Sequence, residues 1–197
     1  MTEPFEVRID PPVGLVIDAV ADIINPTIRD ATLLAANHAG GIIATVVTRT
    51  FKGTGDLARS FLPAHFVKGK SGNVTGAAAT SDKPQARILD QGGTIRPKTA
   101  KALAIPITPH AKNLWPREWP QEKLSLVVNK KTGKALLAET VGEGKSAKLI
   151  YHYVLLKKAE ITGRHYLDEA RKKAVPIVSK IMADAIEKAA KEAARDA

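Results

Sequence analysis

The sequence predicts an α+β fold, with an antiparallel β-sheet packed against an N-terminal helix or helix pair and a long C-terminal helix. Three observations carry this expectation. From Tyr166 to the end, apolar residues recur at helical intervals. Between about 60 and 160, short β-rich segments follow one another through short turns, which favours antiparallel pairing. Near the N-terminus, Asn25-Pro26 opens an apolar run long enough for a substantial helix. A chain of 197 residues suits a single domain, 1–197, with 1–12 as an extended arm.

In chain order, "VGLVIDAVADII" at 13–24 spaces Val13, Val16, Val20, Ile23 and Ile24 as a helix would. Asn25 is placed to cap the next helix and Pro26 to occupy its first position. "TIRDATLLAANHAGGIIATVVTRTF" reads as that helix, and its Gly40-Gly41 pair marks either a break or a close helix contact. "FKGTGDLARSF" reads as a loop and one helical turn, opened by Thr54 or Gly55, with Asp56 at the positive helix end. Strands are expected at 61–68, 73–79, 93–97, 102–108, 123–129, 134–141 and 147–157, and a short helix at 83–91 with Pro84 in its first turn. "NKKTGK" at 129–134 suits a hairpin with Gly133 left-handed. Three prolines and both tryptophans make 109–122 a loop. The C-terminal stripe comprises Leu167, Ala170, Ala174, Ile177 or Val178, Ile181, Ala185 and Ala189, and Pro176 is expected to kink or split its helix.

Composition narrows function. The absence of cysteine excludes disulfides and thiolate metal sites. The N-terminus is acidic and broken by Pro4, unlike a secretory signal, and no uninterrupted apolar run of spanning length occurs, so no membrane partner is expected. The net charge of +10 is uneven: −2 over 1–60, +10 over 61–160 and +2 over 161–197. Such a field favours polyanions, although scattered surface lysines give the same count.

Chemistry-bearing motifs are sparse. Gly-Lys-Ser occurs at 69–71 and 144–146, but a phosphate-binding loop needs glycine where Ala64 and Glu139 stand. The histidines, His38, His65, His110, His152 and His165, form no metal-binding spacing, and His152, between Tyr151 and Tyr153, reads as a sheet-face residue. Asp82, Asp90, Glu118 and Glu122 read as scattered over loops, and Ser60 and Ser71 lack a nucleophile elbow. No catalytic residue, metal or cofactor is therefore expected. Trp115 and Trp119, each before a proline in "WPREWP", are either interface anchors or a cover for the core.

Four stretches in order carry a resemblance: "TGDLARS" at 54–60, "QGGTIRPKTAKALAIPI" at 91–107, "YHYVLLKKAEI" at 151–161, and "GRHYLDEA" at 163–170. Together they resemble the phage tail-completion and minor tail protein family, of the lambda minor tail protein Z and Mu virion-morphogenesis types. The likeness spans roughly 26–195. It departs from the family pattern at His165, where a proline is expected after Arg164, and in the Trp/Pro loop. The resemblance implies a non-enzymatic structural virion protein of a tailed phage or prophage. Its members act in tail completion and head–tail joining at the neck, as a ring around the DNA channel. They assemble with the tail terminator and head connector, in the host cytoplasm and then in the particle.

On this reading Gly92-Gly93 turn the backbone, Pro97 favours an edge or bulge, and "ALAIPI" returns a strand to the core. Arg96, Lys98 and Lys101 are the residues expected to face DNA or a neighbouring subunit, Trp115 and Trp119 are candidate anchors, and Arg164 is expected to tie down a strand-to-helix junction. The alternative is a non-enzymatic basic DNA-binding module, which would need a base-reading helix that the sequence does not display. A hydrolase acting on a cell wall would need paired carboxylates or a metal site.

Overall fold

The computed structural model describes residues 25–53, 55–120, 123–130, 132–142 and 147–195, and the backbone of the strands at 5–9 and 14–19. The fold is α+β, with antiparallel sheets and with α-helices at both ends of the chain's core. The chain forms two compact units. The first comprises 1–92 and 162–197, the second 93–161.

The first unit holds a four-stranded sheet in the order β1 (Phe5–Ile9), β2 (Gly14–Ala19), β4 (Val74–Thr80), β3 (His65–Lys68), with every pairing antiparallel. The expectation of a helix at 13–24 is overturned: 14–19 is an inner strand, with Leu15 opposite Ala79 and Ile17 opposite Ala77. The strand is fixed by its partners on both edges, β1 and β4, and over so short an apolar window spacing alone does not separate strand from helix. Val13 and residues 20–24 lie outside the described residues. Within the 1–12 arm, 5–9 is β1.

Helix α1 (Pro26–Thr50) begins as its cap residues dictate. The Asn25 side chain accepts hydrogen bonds from the amides of Thr27 (2.9 Å) and Ile28 (3.3 Å), and Pro26 opens the first turn. Its buried residues, Thr32, Ala35, Ala36, Ala39, Gly40, Ile43, Val46 and Val47, recur every three or four positions. They form one core with Ala170, Ala174, Val178 and Met182 of α4 (Tyr166–Arg195) and with Ala77 and Ala79 of β4. By length and mean hydropathy (1.4 over 18 residues) α1 would suit a membrane span, and these core contacts account for its apolar face. On α4 the alternative left between Ile177 and Val178 falls to Val178, which is buried while Ile177 is exposed, and Met182 is buried beside the half-buried Ile181. The helix runs unbroken through Pro176, so the expected split does not occur.

Small residues let these elements approach closely. A methyl group on Gly40 would sit 2.9 Å from both the Phe61 carbonyl oxygen and Leu62 Cδ2, whereas one on Gly41 would meet nothing within 4 Å. The glycine pair is thus a close contact at one residue and open space at the next. Gly40→Ala is expected to destabilise by about 1–3 kcal/mol. Gly41→Ala is expected to be neutral or to stabilise by up to about 1 kcal/mol, through helix propensity. Thermal melts of the two single variants check the contrast.

Helix α2 (Asp56–Arg59) is the expected single turn, entered through Gly55, and α3 (Pro84–Gln91) is the expected short helix. The Gly-Lys-Ser at 69–71 lies in the turn between β3 and β4, where the Gly69 amide donates to the Asn73 carbonyl (2.8 Å). The second triplet lies among residues not described.

The second unit pairs β5 (Gly93–Ile95) with β10 (Ala159–Ile161), and builds a sheet in the order β6 (Leu103–Pro106), β9 (Lys148–Leu156), β8 (Ala135–Val141), β7 (Leu124–Val128). The strands expected between 60 and 160 are thus divided among three sheets, and β10, only three residues long, carried no sequence pattern. The turn from β7 to β8 has Gly133 at φ 66°, as "NKKTGK" predicts.

Candidate interaction surface

Two constructions matter here, one in each unit. In the second, the 109–120 segment folds through short 3-10 turns at Ala111–Asn113 and Pro116–Glu118, so its prolines permit more local order than expected. The Glu118 carboxylate accepts from the Trp115 amide (2.6 Å) across the second turn.

Trp119 is 7% exposed and packs with Ala111 and Tyr153, flanked by Leu114, Leu124 and Leu137. Its indole N–H donates to the Tyr153 hydroxyl (2.8 Å), which donates to the Leu114 carbonyl (2.7 Å). The interface role expected of Trp119 is therefore corrected: it is core, because the sheet beneath offers both apolar surface and an acceptor for its one polar atom.

Beside it, His152 is buried and tied at both ring nitrogens. Nε2 lies 3.2 Å from a Glu139 carboxylate oxygen and Nδ1 2.9 Å from the Thr108 hydroxyl. A carboxylate only accepts, so Nε2 donates to Glu139, and in the neutral ring Nδ1 accepts from Thr108. The same Thr108 oxygen accepts from the Ala111 amide (3.3 Å). Hydroxyl, imidazole and carboxylate stand in line, and the chain they form fastens the loop to β8 and β9. A register shift between Leu137 and Ala138 in the β8–β9 pairing accompanies this arrangement, since Tyr153 faces Leu137 while Tyr151 faces Ala138. His152 was expected on a sheet face. The bonds to Thr108 and Glu139 carried no sequence signal, because those residues lie 44 and 13 positions away.

The loop thus holds Trp115 outward, 66% exposed, with the Arg117 guanidinium carbon 5.9 Å from its ring centroid. Arg96, Lys98 and Lys101 are exposed on the connection between β5 and β6. The second unit carries 13 lysines and arginines against 5 acidic residues, a net +8 of the chain's +10.

In the first unit, α3 and the residues that follow α1 and α2 meet the start of α4 at one joint around Tyr166. Its hydroxyl donates to the Ala86 carbonyl (2.9 Å), and its ring packs edge-on against Phe51 and Phe61. The buried Asp90, on α3 and not on a loop, accepts from the Leu167 amide (2.9 Å) and so caps α4 from another element. The backbone amides of Arg164 and His165 donate to the carbonyls of Leu89 and Asp90, each at 2.9 Å. The Arg164 guanidinium is exposed and has no partner among the described residues, so the main chain ties down this junction and the side chain does not. His165 has φ 48°, which a proline ring cannot adopt, so the proline that the resemblance led us to expect after Arg164 would not fit this backbone. Gly92 (φ 78°) and Gly93 (φ 152°) turn the chain where the first unit hands over to the second.

Burial pushes the Asp90 carboxyl above the usual carboxylate range, against the lowering effect of the Leu167 amide. Burial, and then the Asp90 charge, raise the Tyr166 phenol. Glu169, bonded by Lys173 and Arg49, is held below the usual range. The raised Asp90 value has a consequence for stability. A proton is held more tightly in the folded state, so this contribution is complete below the ordinary carboxylate range and is lost as pH rises through the folded value. Asp90→Asn keeps an acceptor for Leu167 and removes the titration. Its stability relative to the parent is expected to rise between about pH 3 and pH 7, which urea melts at both values check.

These features define a two-unit α+β protein whose smaller unit is cationic and presents an exposed tryptophan on a hydrogen-bonded loop. Comparison with known proteins finds no matching family model, no matching curated protein and no matching solved structure.

Proposed function

We propose that this chain is a structural virion protein of a tailed phage or prophage. On this reading it acts in tail completion and head–tail joining at the neck, as a homo-oligomeric ring around the DNA channel, in contact with the tail terminator and head connector. It is made in the host cytoplasm and ends in the particle. One observation carries the reading: the first and fourth stretches of the resemblance, far apart in sequence, share one core, which holds Ala58 together with Tyr166, Leu167 and Ala170. Stretches that serve a scaffold behave this way, since what they specify is a packing arrangement. The net charge of the second unit suits a neighbour of a genome.

In a producing strain that lacks the chain, electron microscopy is expected to find filled heads and finished tails unjoined. Normal particles would reject the reading. Trp115→Ala, at an exposed ring, is expected to lower the yield of joined particles while leaving the melting temperature of the protein unchanged.

The same charge favours a second reading, a basic DNA-binding module. On the virion reading any DNA contact is electrostatic, with a dissociation constant of about 10⁻⁴–10⁻⁶ M at physiological salt, falling off steeply as salt rises. Replacing Lys98 and Lys101 by glutamine then weakens binding equally on unrelated duplexes. A preferred oligonucleotide that survives excess poly(dI-dC) would select the DNA-binding module instead.

A further inference from the structure

We infer that Trp115 is a stacking platform for an unpaired base, which makes the loop around it a binding site for single-stranded nucleic acid of any sequence. The inference rests on the contact with nucleic acid weighed above, and names its site and the form of the ligand.

The main chain presents the ring. The Trp115 amide donates to the Glu118 carboxylate (2.6 Å), and the Trp115 carbonyl accepts from the Glu118 amide (2.9 Å). One residue earlier, the Leu114 carbonyl accepts from the Tyr153 hydroxyl (2.7 Å). Hydrogen bonds therefore hold the backbone on both sides of a tryptophan that is itself 66% exposed. Little of this segment is left to be ordered when a ligand arrives.

The surroundings of the ring select the ligand. Beside it on the loop, Lys112, Asn113, Arg117 and Glu118 are exposed, and the apolar Leu114 and Pro116 are half-buried. A protein anchor sits at the centre of a patch that excludes water, whereas this ring stands among charged and polar residues. The Arg117 guanidinium carbon is 5.9 Å from its centroid, within cation–π range. The carboxylates described in this unit are engaged: Glu118 by the Trp115 amide, Glu139 by His152 and Lys123, and Glu160 by Lys158. Among the described residues neither Lys112 nor Arg117 forms an ion pair, and the unit as a whole carries +8. Charge complementarity thus calls for a polyanion, and the indole for a flat apolar face between its charges. Nucleic acid has both. In a duplex the base faces are stacked on one another and closed to a side chain. In a single strand they are open, so the ring takes a base while the cations beside it take phosphates. Every base has such a face, so the site tolerates any sequence.

An oligothymidylate of about 12 nucleotides and an abasic strand of the same length carry the same phosphates and differ in the bases alone. The full-length protein is expected to bind the oligothymidylate about tenfold tighter than the abasic strand, measured by anisotropy of an end-labelled strand. Tryptophan fluorescence is expected to be quenched by the oligothymidylate and not by the abasic strand or a duplex. Trp119 is buried, so this quenching reports Trp115. Trp115→Ala is expected to reduce oligothymidylate binding to the level of the abasic strand and to leave abasic binding unchanged. Trp115→Phe is expected to keep part of the preference, and Arg117→Gln to weaken binding of both strands. Equal binding of the two strands, equal quenching by duplex, or a preference that survives Trp115→Ala would overturn the proposal. Loss of joined particles in Trp115→Ala with no base preference in the parent would also overturn it, and would assign the ring to a protein neighbour. Equal binding of both strands leaves the electrostatic contact standing, whereas binding to no strand and no duplex removes both, so the two fail distinguishably.

Discussion

Trp119→Ala is expected to lower the stability of the second unit by about 3–5 kcal/mol, the range for truncating a large buried aromatic. Trp119 lies beneath its own loop, on Tyr153 and beside His152, at a ring-centroid distance of 4.4 Å from the imidazole. Its removal leaves a cavity and deprives the Tyr153 hydroxyl of its donor. Trp119→Phe keeps most of the packing but loses the hydrogen bond and part of the buried ring, so a smaller cost of about 1–2 kcal/mol is expected. Both tryptophans of the chain lie in the second unit, so intrinsic fluorescence during urea unfolding follows that unit selectively. In Trp119→Ala the remaining signal comes from the exposed Trp115, and amide exchange of β8 and β9 gives the more direct measure. Parent-like exchange in those strands would show that the loop is not part of the core.

Gly163→Ala is expected to have the largest effect in the first unit. A methyl group there would stand 2.6 Å from the Gln91 carbonyl carbon and 2.7 Å from the Asp90 carbonyl oxygen. These are main-chain atoms at the end of α3, and no side-chain rotation relieves the contact. Relief requires the segment leading into α4 to move away from α3, which strains the Leu89 and Asp90 carbonyl bonds and the Asp90 cap together. The expected cost is about 3 kcal/mol, at the upper end of the range for overpacking. Gly53→Ala, where a methyl group would meet nothing within 4 Å, is the control expected to melt like the parent. Equal melting of Gly163→Ala and the control would show that the joint yields without loss.

The joint also explains why a short motif can be legible before its role is. "GRHYLDEA" reads as a helix entrance, and it is one. Its glycine is required by α3, its tyrosine by the Ala86 carbonyl, and its leucine amide by Asp90, all about 70 to 80 residues earlier in the chain. The expectation that Arg164 secures this place chose the residue with the most donors. The main chain had already supplied the bonds.

The sequence by itself determined the elements whose signals are local. The Asn25-Pro26 cap, the length of α1, the turn at 129–134, the short helix behind Pro84 and the long C-terminal helix all follow from interactions within four or five residues. They appear where the pattern puts them. Tertiary structure decided the rest. It made 14–19 an inner strand, because pairing with β4 some 60 residues away outweighs a helical spacing. It divided one expected sheet into three. It also separated two tryptophans that each precede a proline, burying Trp119 over Tyr153 and leaving Trp115 in solvent. Burial, strand partners and the acceptor for an indole N–H are set by residues far away in the chain, and no short window of sequence contains both sides of such a contact.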